Sequence, residues 1–188
     1  MDTAQLQPHR TRDELDASLA TILAAPADNG TLALIVRRPA VDEREVLDEG
    51  QLDPAVGLVG DTWTERSSRR TPDGSPHPDM QLNVMSARVA DRLAGDPTRR
   101  ALAGDQLFVD LDITEANLPP GTRLAIGTAV IEVTEQPHTG CQKFSGRFGV
   151  DALRWVNEHP ELRLRGLCAR VVVAGTVRQG DTVRKVDA

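Results

Sequence analysis

The second half of the chain constrains its fold most. "DQLFVDLDI" (105–113) alternates apolar Leu107, Val109, Leu111 and Ile113 with polar partners, the period of a strand with one buried face. "PPGTRLAIGTAVIEVTEQ" then opens on a Pro-Gly turn and holds two short strands split at Gly127. "GLCARVVVAGTVRQGDTVRKV" ends the sequence as strand, turn and strand. β segments this short and this closely spaced point to a mainly β chain, a barrel or sandwich with a few peripheral helices.

The first half adds helices to that frame. Thr11 and Glu14 have the spacing of a capping box, and Leu15, Leu19, Ile22 and Leu23 recur at helical spacing before Pro26. The pattern predicts one amphipathic helix over about 12–25. "NGTLALIVRRP" reads as a strand ended by Pro39, and "MQLNVMS" as a strand entering a helix, "SARVADRLAG". Ser86 is the expected N-cap of that helix and Gly95 its stop. Ahead of "MQLNVMS", from the end of "GDTWTER" to "TPDGSPHPDM", runs a polar, proline-rich loop of about a dozen residues that takes in most of "ERSSRR" (65–70), a length that in compact domains is commonly functional or disordered. "VDALRWVNEHP" predicts a short helix with Val150, Leu153 and Val156 on one face and Pro160 at its end. No repeat or domain boundary stands out, so residues 1–188 read as a single domain with a helical extension over 1–28.

Composition narrows the functional classes. A net charge of −6 gives no support to a nucleic-acid or anionic-membrane partner. The chain has no tyrosine, which removes any mechanism that needs a tyrosine acid. The N-terminus has acids where a signal peptide needs a basic start, and no segment approaches the roughly 20 apolar residues of a spanning helix. A cytoplasmic location is the expectation, with Cys141 and Cys168 as reduced thiols. No P-loop, H-E-x-x-H or paired C-x-x-C is present. His9, His77, His138 and His159 lack zinc spacing.

The chemistry concentrates in "QPHTGCQKFSGRFG" (136–149). Cys168 sits in an apparent strand and reads as a buried hydrophobe, whereas Cys141 lies among polar residues and glycines. Lys143, one of two lysines in the chain, and Arg147 supply positive charge that would favour a thiolate, a ligand anion, or both. Gly140, Gly146 and Gly149 allow a tightly turning loop. His138, three residues before Cys141, reads as a proton acceptor, a second ligand, or a solvated loop histidine. In "GDTW", Asp61 reads either as a turn terminator or as a group that orders a site by accepting backbone hydrogen bonds.

Taken in order, "GLVGDTW", "MQLNVMSARVADRLAG", the run from "DQLFVDLDI" to "TGCQKF" and the closing "GLCARVVVAGTVRQGDTVRKV" resemble the MOSC domain, named for the C-terminus of molybdenum-cofactor sulfurases. The resemblance covers roughly residue 30 to the end. It implies a β-barrel whose cysteine, here Cys141, lies at the mouth of a cleft. In that role Cys141 either ligates the molybdenum of molybdopterin or carries sulfur as a persulfide without redox turnover. Molybdenum-binding relatives reduce N-hydroxylated bases and amidoximes. The resemblance makes Lys143, Arg147 and the cluster Arg66, Arg69 and Arg70 candidates for the cofactor phosphate, arginine by forked hydrogen bonds. The chain departs from the family at Trp63, where many stand-alone members carry histidine. It also lacks the pyridoxal-phosphate domain of full sulfurases and a ferredoxin-like domain, so electrons or sulfur are expected from a separate donor protein. The remaining alternative is a barrel in which the cysteine is vestigial.

Overall fold

Of the alternating stretch 105–113, Leu107–Asp110 becomes a strand in the wall of a barrel. The computed structural model describes residues 8–187, and among these the strands are β1 (Gly30–Arg37), β2 (Glu45–Leu47), β3 (Glu49–Asp53), β4 (Gly57–Leu58), β5 (Leu82–Ser86), β6 (Leu107–Asp110), β7 (Arg123–Ile126), β8 (Ala129–Val133), β9 (Leu167–Val173), β10 (Gly175–Arg178) and β11 (Thr182–Val186). Seven of them close in the order β11-β7-β8-β9-β5-β6-β1, with Gly30 of β1 paired to Val183 of β11 to complete the ring. β2 pairs with the far end of β1, and β10, β3 and β4 form a small second sheet. Closure leaves the short strands no unpaired edge, which is how segments of four or five residues hold together.

The pleat sorts side chains into two cores. Leu82, Val84, Leu107, Val109, Leu124, Ile126 and Ile131 fill the barrel. Met85 and Phe108, one residue out of phase, point outward and meet a helical layer. β5 and β6 pair in parallel, so the chain crosses between them through α3 (Ala87–Ala94), capped by Ser86 and stopped at Gly95 as expected.

The helical layer departs from expectation in three places. The predicted helix over 12–25 is two short helices, α1 (Arg12–Asp16) and α2 (Leu19–Leu23). The Ser18 hydroxyl donates to the Leu15 carbonyl at 2.6 Å, a local bond that competes with helix continuation. The capping box of Thr11 and Glu14 forms as its spacing implies. Of the 1–28 extension, residues 1–7 lie outside the described part. The cysteine segment is not all loop: Gln142–Phe148 forms α4, with Gly146 inside it, and Gly149 at φ 94° separates it from α5 (Val150–Glu158). On α5 the buried face is Ala152, Trp155 and Val156, while Val150 is exposed. Phe144 and Phe148 anchor α4 in the outer core, and that apolar pair outweighs its glycine. No helix among the described residues is long and apolar enough to cross a membrane.

Candidate functional site

Strand alternation decides where the site lies. With Leu82 and Val84 committed to the barrel interior, Asn83 faces outward, as does Arg38 just beyond β1. Outside this wall, under the start of α4, is a cavity of about 650 Å³ onto which Cys141 opens.

Cys141 occupies the N-cap position of α4 with extended backbone, is exposed, and makes no capping hydrogen bond. Its sulfur is therefore not consumed by the helix. The preceding residue is clamped: the Gly140 N–H donates to Asn157 Oδ1 on α5 at 2.8 Å. A side chain at 140 would lie 2.7 Å from Leu153 Cδ1, so α5 packs directly on the backbone that carries the cysteine. Cys168, by contrast, is fully buried, and burial pushes its thiol up to about 12.

Two buried carboxylates set the cavity floor. Asp61 grips Arg38 through both oxygens, at 2.7 Å to Nε and 2.6 Å to Nη2, and accepts the backbone N–H groups of Arg38 and Trp63. The same carboxylate caps the 3₁₀ turn Thr62–Glu65. Asp105, fully buried, bridges Arg165 at 2.6 Å and His138 Nε2 at 2.8 Å. Burial acts to raise the Asp105 carboxyl, but Arg165 and His138 outweigh it and hold it below the ordinary carboxylate range. Burial and the Arg165 charge lower the His138 imidazole against the pull of Asp105. The neutral ring donates from Nε2 to Asp105, which leaves Nδ1 as an acceptor with no partner among the described residues.

The rim is held more loosely. Asp42, on the loop between β1 and β2, accepts from Lys143 at 3.0 Å and from Arg147 at 2.9 Å. Lys143 is the group that most lowers the Asp42 carboxyl. Gly104 lets arginines close over the floor: at φ 86° it adopts a backbone that disfavours side chains, and a Cβ there would meet Arg44 Nη2 at 3.2 Å.

The balance of charge is the main property of the cavity. Arg38, Arg44, Arg66, Lys143, Arg147 and Arg165 line it, against Asp42 and Glu65 on its walls and Asp61 and Asp105 behind them. Arg44 and Arg66 form no salt bridge with a described residue. Burial, together with Arg147, Arg38 and Arg66, pushes the Arg44 guanidinium down to about 10. Burial and Arg38 lower Arg66 as well. The Nε atoms of Arg44 and Arg165 are enclosed without a hydrogen-bond partner, as are those of Arg99 and Arg100 away from the cavity, so these atoms do not by themselves mark a ligand site. An anion in the cavity would relieve the repulsion among the cations that line it. Among the described residues no group of three or more His, Cys, Asp or Glu side chains is arranged to hold a metal ion, and Cys141 is the soft donor on this wall.

Of the residues read from the sequence, Cys141, Lys143, Arg147, Arg66 and His138 line the cavity, and Asp61 stands directly behind it. Arg69 and Arg70 do not line it; Arg70 donates instead to Gln136 Oε1. Arg38, Arg44, Asp42, Asp105, Arg165 and Asn157 are additional. None sits in a recognisable motif, and the only sequence hint is "RRP" at the end of β1.

The family model for the MOSC domain matches residues 73–184. Among solved structures, the chain is similar to the YuaD protein from Bacillus subtilis, at 17% identity and a TM-score of 0.64 over 85% of this chain and 97% of that one. It is also similar to YiiM from Escherichia coli (20%, TM-score 0.54, 84% and 70%) and to YiiM from Geobacillus stearothermophilus (14%, TM-score 0.53, 87% and 75%). At these identities the likeness concerns the fold. No curated relative matches the chain.

Proposed function

The chain belongs to the MOSC domain family, and on that premise we propose that its cationic cavity binds molybdenum cofactor with Cys141 as the protein's sulfur ligand, in order to reduce N-hydroxylated substrates. One observation carries the reading: an exposed thiol, free of any capping bond, opens onto a cavity lined by six cationic side chains, two of which, Arg44 and Arg66, have no carboxylate partner among the described residues. Those residues suit an anionic, sulfur-seeking group. Molybdopterin carries a phosphate, and molybdenum favours soft sulfur donors.

In this reading Arg44 and Arg66, with no carboxylate of their own, hold the phosphate, and Arg147 and Lys143 reach it from α4. Arg38 and Arg165 are locked by Asp61 and Asp105 and keep the floor in one geometry. When bound, the cofactor supplies two-electron redox chemistry, with electrons drawn from a separate donor protein. N–O bond reduction also consumes protons, which in this reading enter from solvent through the open cavity, since His138 is held neutral with Nδ1 as an acceptor.

Elemental and pterin analysis of protein purified from a cofactor-producing host tests the proposal. Molybdenum and pterin are expected in the wild type, with molybdenum lost in Cys141→Ala. Wild type without molybdenum overturns it, and molybdenum retained in Cys141→Ala removes Cys141 as the ligand. A second reading, a sulfur-carrier module with a persulfide on Cys141, draws on the exposure of that thiol to a donor. Incubation with a cysteine desulfurase would then add the mass of one sulfur atom at Cys141 but not at Cys168.

A further inference from the structure

Three contacts tie down the segment that delivers Cys141 to the cavity. Gln136 Oε1 accepts from Arg70 at 2.8 Å, and His138 Nε2 meets Asp105 at 2.8 Å. Both of these act through side chains. Residues 135–140 make no backbone–backbone hydrogen bond with a described residue. Their backbone is held at Gly140, whose N–H donates to Asn157 Oδ1 at 2.8 Å and whose carbonyl accepts from Asn157 Nδ2 at 3.4 Å. Exchange of both bonds with one partner is the pattern of a hydrogen-bonded pair across an antiparallel sheet. Here a carboxamide stands in for the missing strand.

The glycine explains why such a clamp is needed. A Cβ at 140 would come within 2.7 Å of Leu153 Cδ1, 3.3 Å of Val156 Cγ2 and 3.4 Å of Asn157 Nδ2, all on one face of α5. Close approach to that face therefore requires glycine. A glycine also turns more freely than any other residue, and one placed directly before the cysteine would let the sulfur swing. The two Asn157 bonds remove that freedom. Their base is firm, since Ala152, Trp155 and Val156 are buried and the Trp155 indole N–H donates to Asp16 Oδ1 at 3.1 Å. The helix itself has no use for asparagine at 157: the residue is exposed, and alanine is the better helix former.

We propose that Asn157 is a positioning residue for Cys141, acting through the Gly140 peptide to fix the direction in which the sulfur meets the cations of the cavity. α4 holds the other side of the cysteine, where the Ser145 N–H donates to the Cys141 carbonyl at 3.1 Å. The sulfur is thus set between a helix that follows it and a helix that clamps the residue before it. The effect on the thiol stands whatever the cavity binds; the effect on molybdenum rests on the cofactor reading.

Two alkylating probes of similar size read the surroundings of the sulfur: iodoacetate, an anion, and iodoacetamide, which is neutral. Both are attacked by the same thiolate, so the ratio of their rates cancels the thiolate fraction and reports the local field. Mass spectrometry assigns the label, with fully buried Cys168 as the internal control. Relative to the free thiol of N-acetylcysteine amide, wild type is expected to favour iodoacetate about tenfold at low salt. Asn157→Ala is expected to lose most of that preference while its urea midpoint stays in place or rises. Should that variant fail to fold, Asn157→Ser, too short to reach both Gly140 groups, carries the comparison. An unchanged ratio overturns the proposal, as does a wild type with no preference for iodoacetate. A ratio that falls only together with the midpoint also overturns it, because the asparagine then serves the fold and not the sulfur. In protein from a cofactor-producing host, Asn157→Ala is expected to hold molybdenum about tenfold more weakly than wild type. Wild type without molybdenum, but with the expected alkylation ratios, overturns the cofactor reading and leaves Asn157 in its role. Molybdenum held equally by wild type and Asn157→Ala, with an unchanged ratio, does the reverse.

Discussion

The floor and the rim of the cavity use the same chemistry, carboxylate against guanidinium or ammonium, with opposite physical results. On the floor, Asp61 and Asp105 are buried and each holds an arginine that is itself nearly excluded from water. On the rim, Asp42 meets Lys143 in open solvent and a half-buried Arg147 beside it. A buried pair cannot lose one member without stranding the other, so the floor is rigid. An exposed pair is screened and contributes little to stability, so the rim is free to exchange Asp42 for another anion. The difference teaches that this site separates the charges that shape it from those available to bind.

The largest break in that contrast is Asp61→Ala, which leaves Arg38 buried and unpaired. It is expected to destabilise the fold by about 3–5 kcal/mol, seen as a lower urea midpoint. A midpoint within error of wild type would mean that the floor is as dispensable as the rim.

Acid should dismantle the floor in two stages. His138 is depressed in the folded state, so below about pH 6.5 the unfolded chain binds a proton that the native one refuses, and stability falls as pH drops from there. Asp105 is held below its ordinary range, so its contribution, full above about pH 3.9, is lost as pH falls further. In urea midpoints taken from pH 8 downward, His138→Gln should remove the upper stage and keep the lower. A single unaltered transition in that variant would refute the assignment.

Gly104 joins floor to rim. Gly104→Ala is expected to cost about 1–2 kcal/mol from the left-handed backbone alone, and to displace Arg44. Its phosphate affinity, measured by calorimetry, should fall with its stability. The smallest effect is at Asp42: Asp42→Asn should leave the urea midpoint in place while tightening phosphate binding about threefold at low salt, a gain that vanishes at high salt. Loss of stability there would show the rim to be part of the frame.

Much of this was legible from sequence because its determinants are local. The split at Gly127, the Ser86 cap and the stop at Gly95 each depend on a few adjacent residues and appear in the fold, whereas "DQLFVDLDI" forms a strand only over Leu107–Asp110, with Phe108 burying its second face against the helical layer. Cys141 stood out for the same reason, as a cysteine among glycines and charges. The misreadings mark where neighbours in space decide. The Ser18 side chain interrupted one helix, and apolar anchorage of Phe144 and Phe148 created another around Gly146. Arg69 and Arg70 looked equivalent to Arg66 in "ERSSRR", yet only Arg66 faces the cavity.

The chain by itself determined a β-rich frame, its turns, and the presence of one thiol outside the apolar pattern, since side-chain period and backbone freedom are properties of neighbouring residues. The tertiary structure alone decided which cations share a cavity with that thiol. Arg38, Asp61, Asp105, His138 and Arg165 come from separate segments, brought together when the barrel closes and β5 turns Asn83 outward. Whether a charge is paired, buried or left to bind depends on distance and on exclusion of water, and neither exists until the fold does.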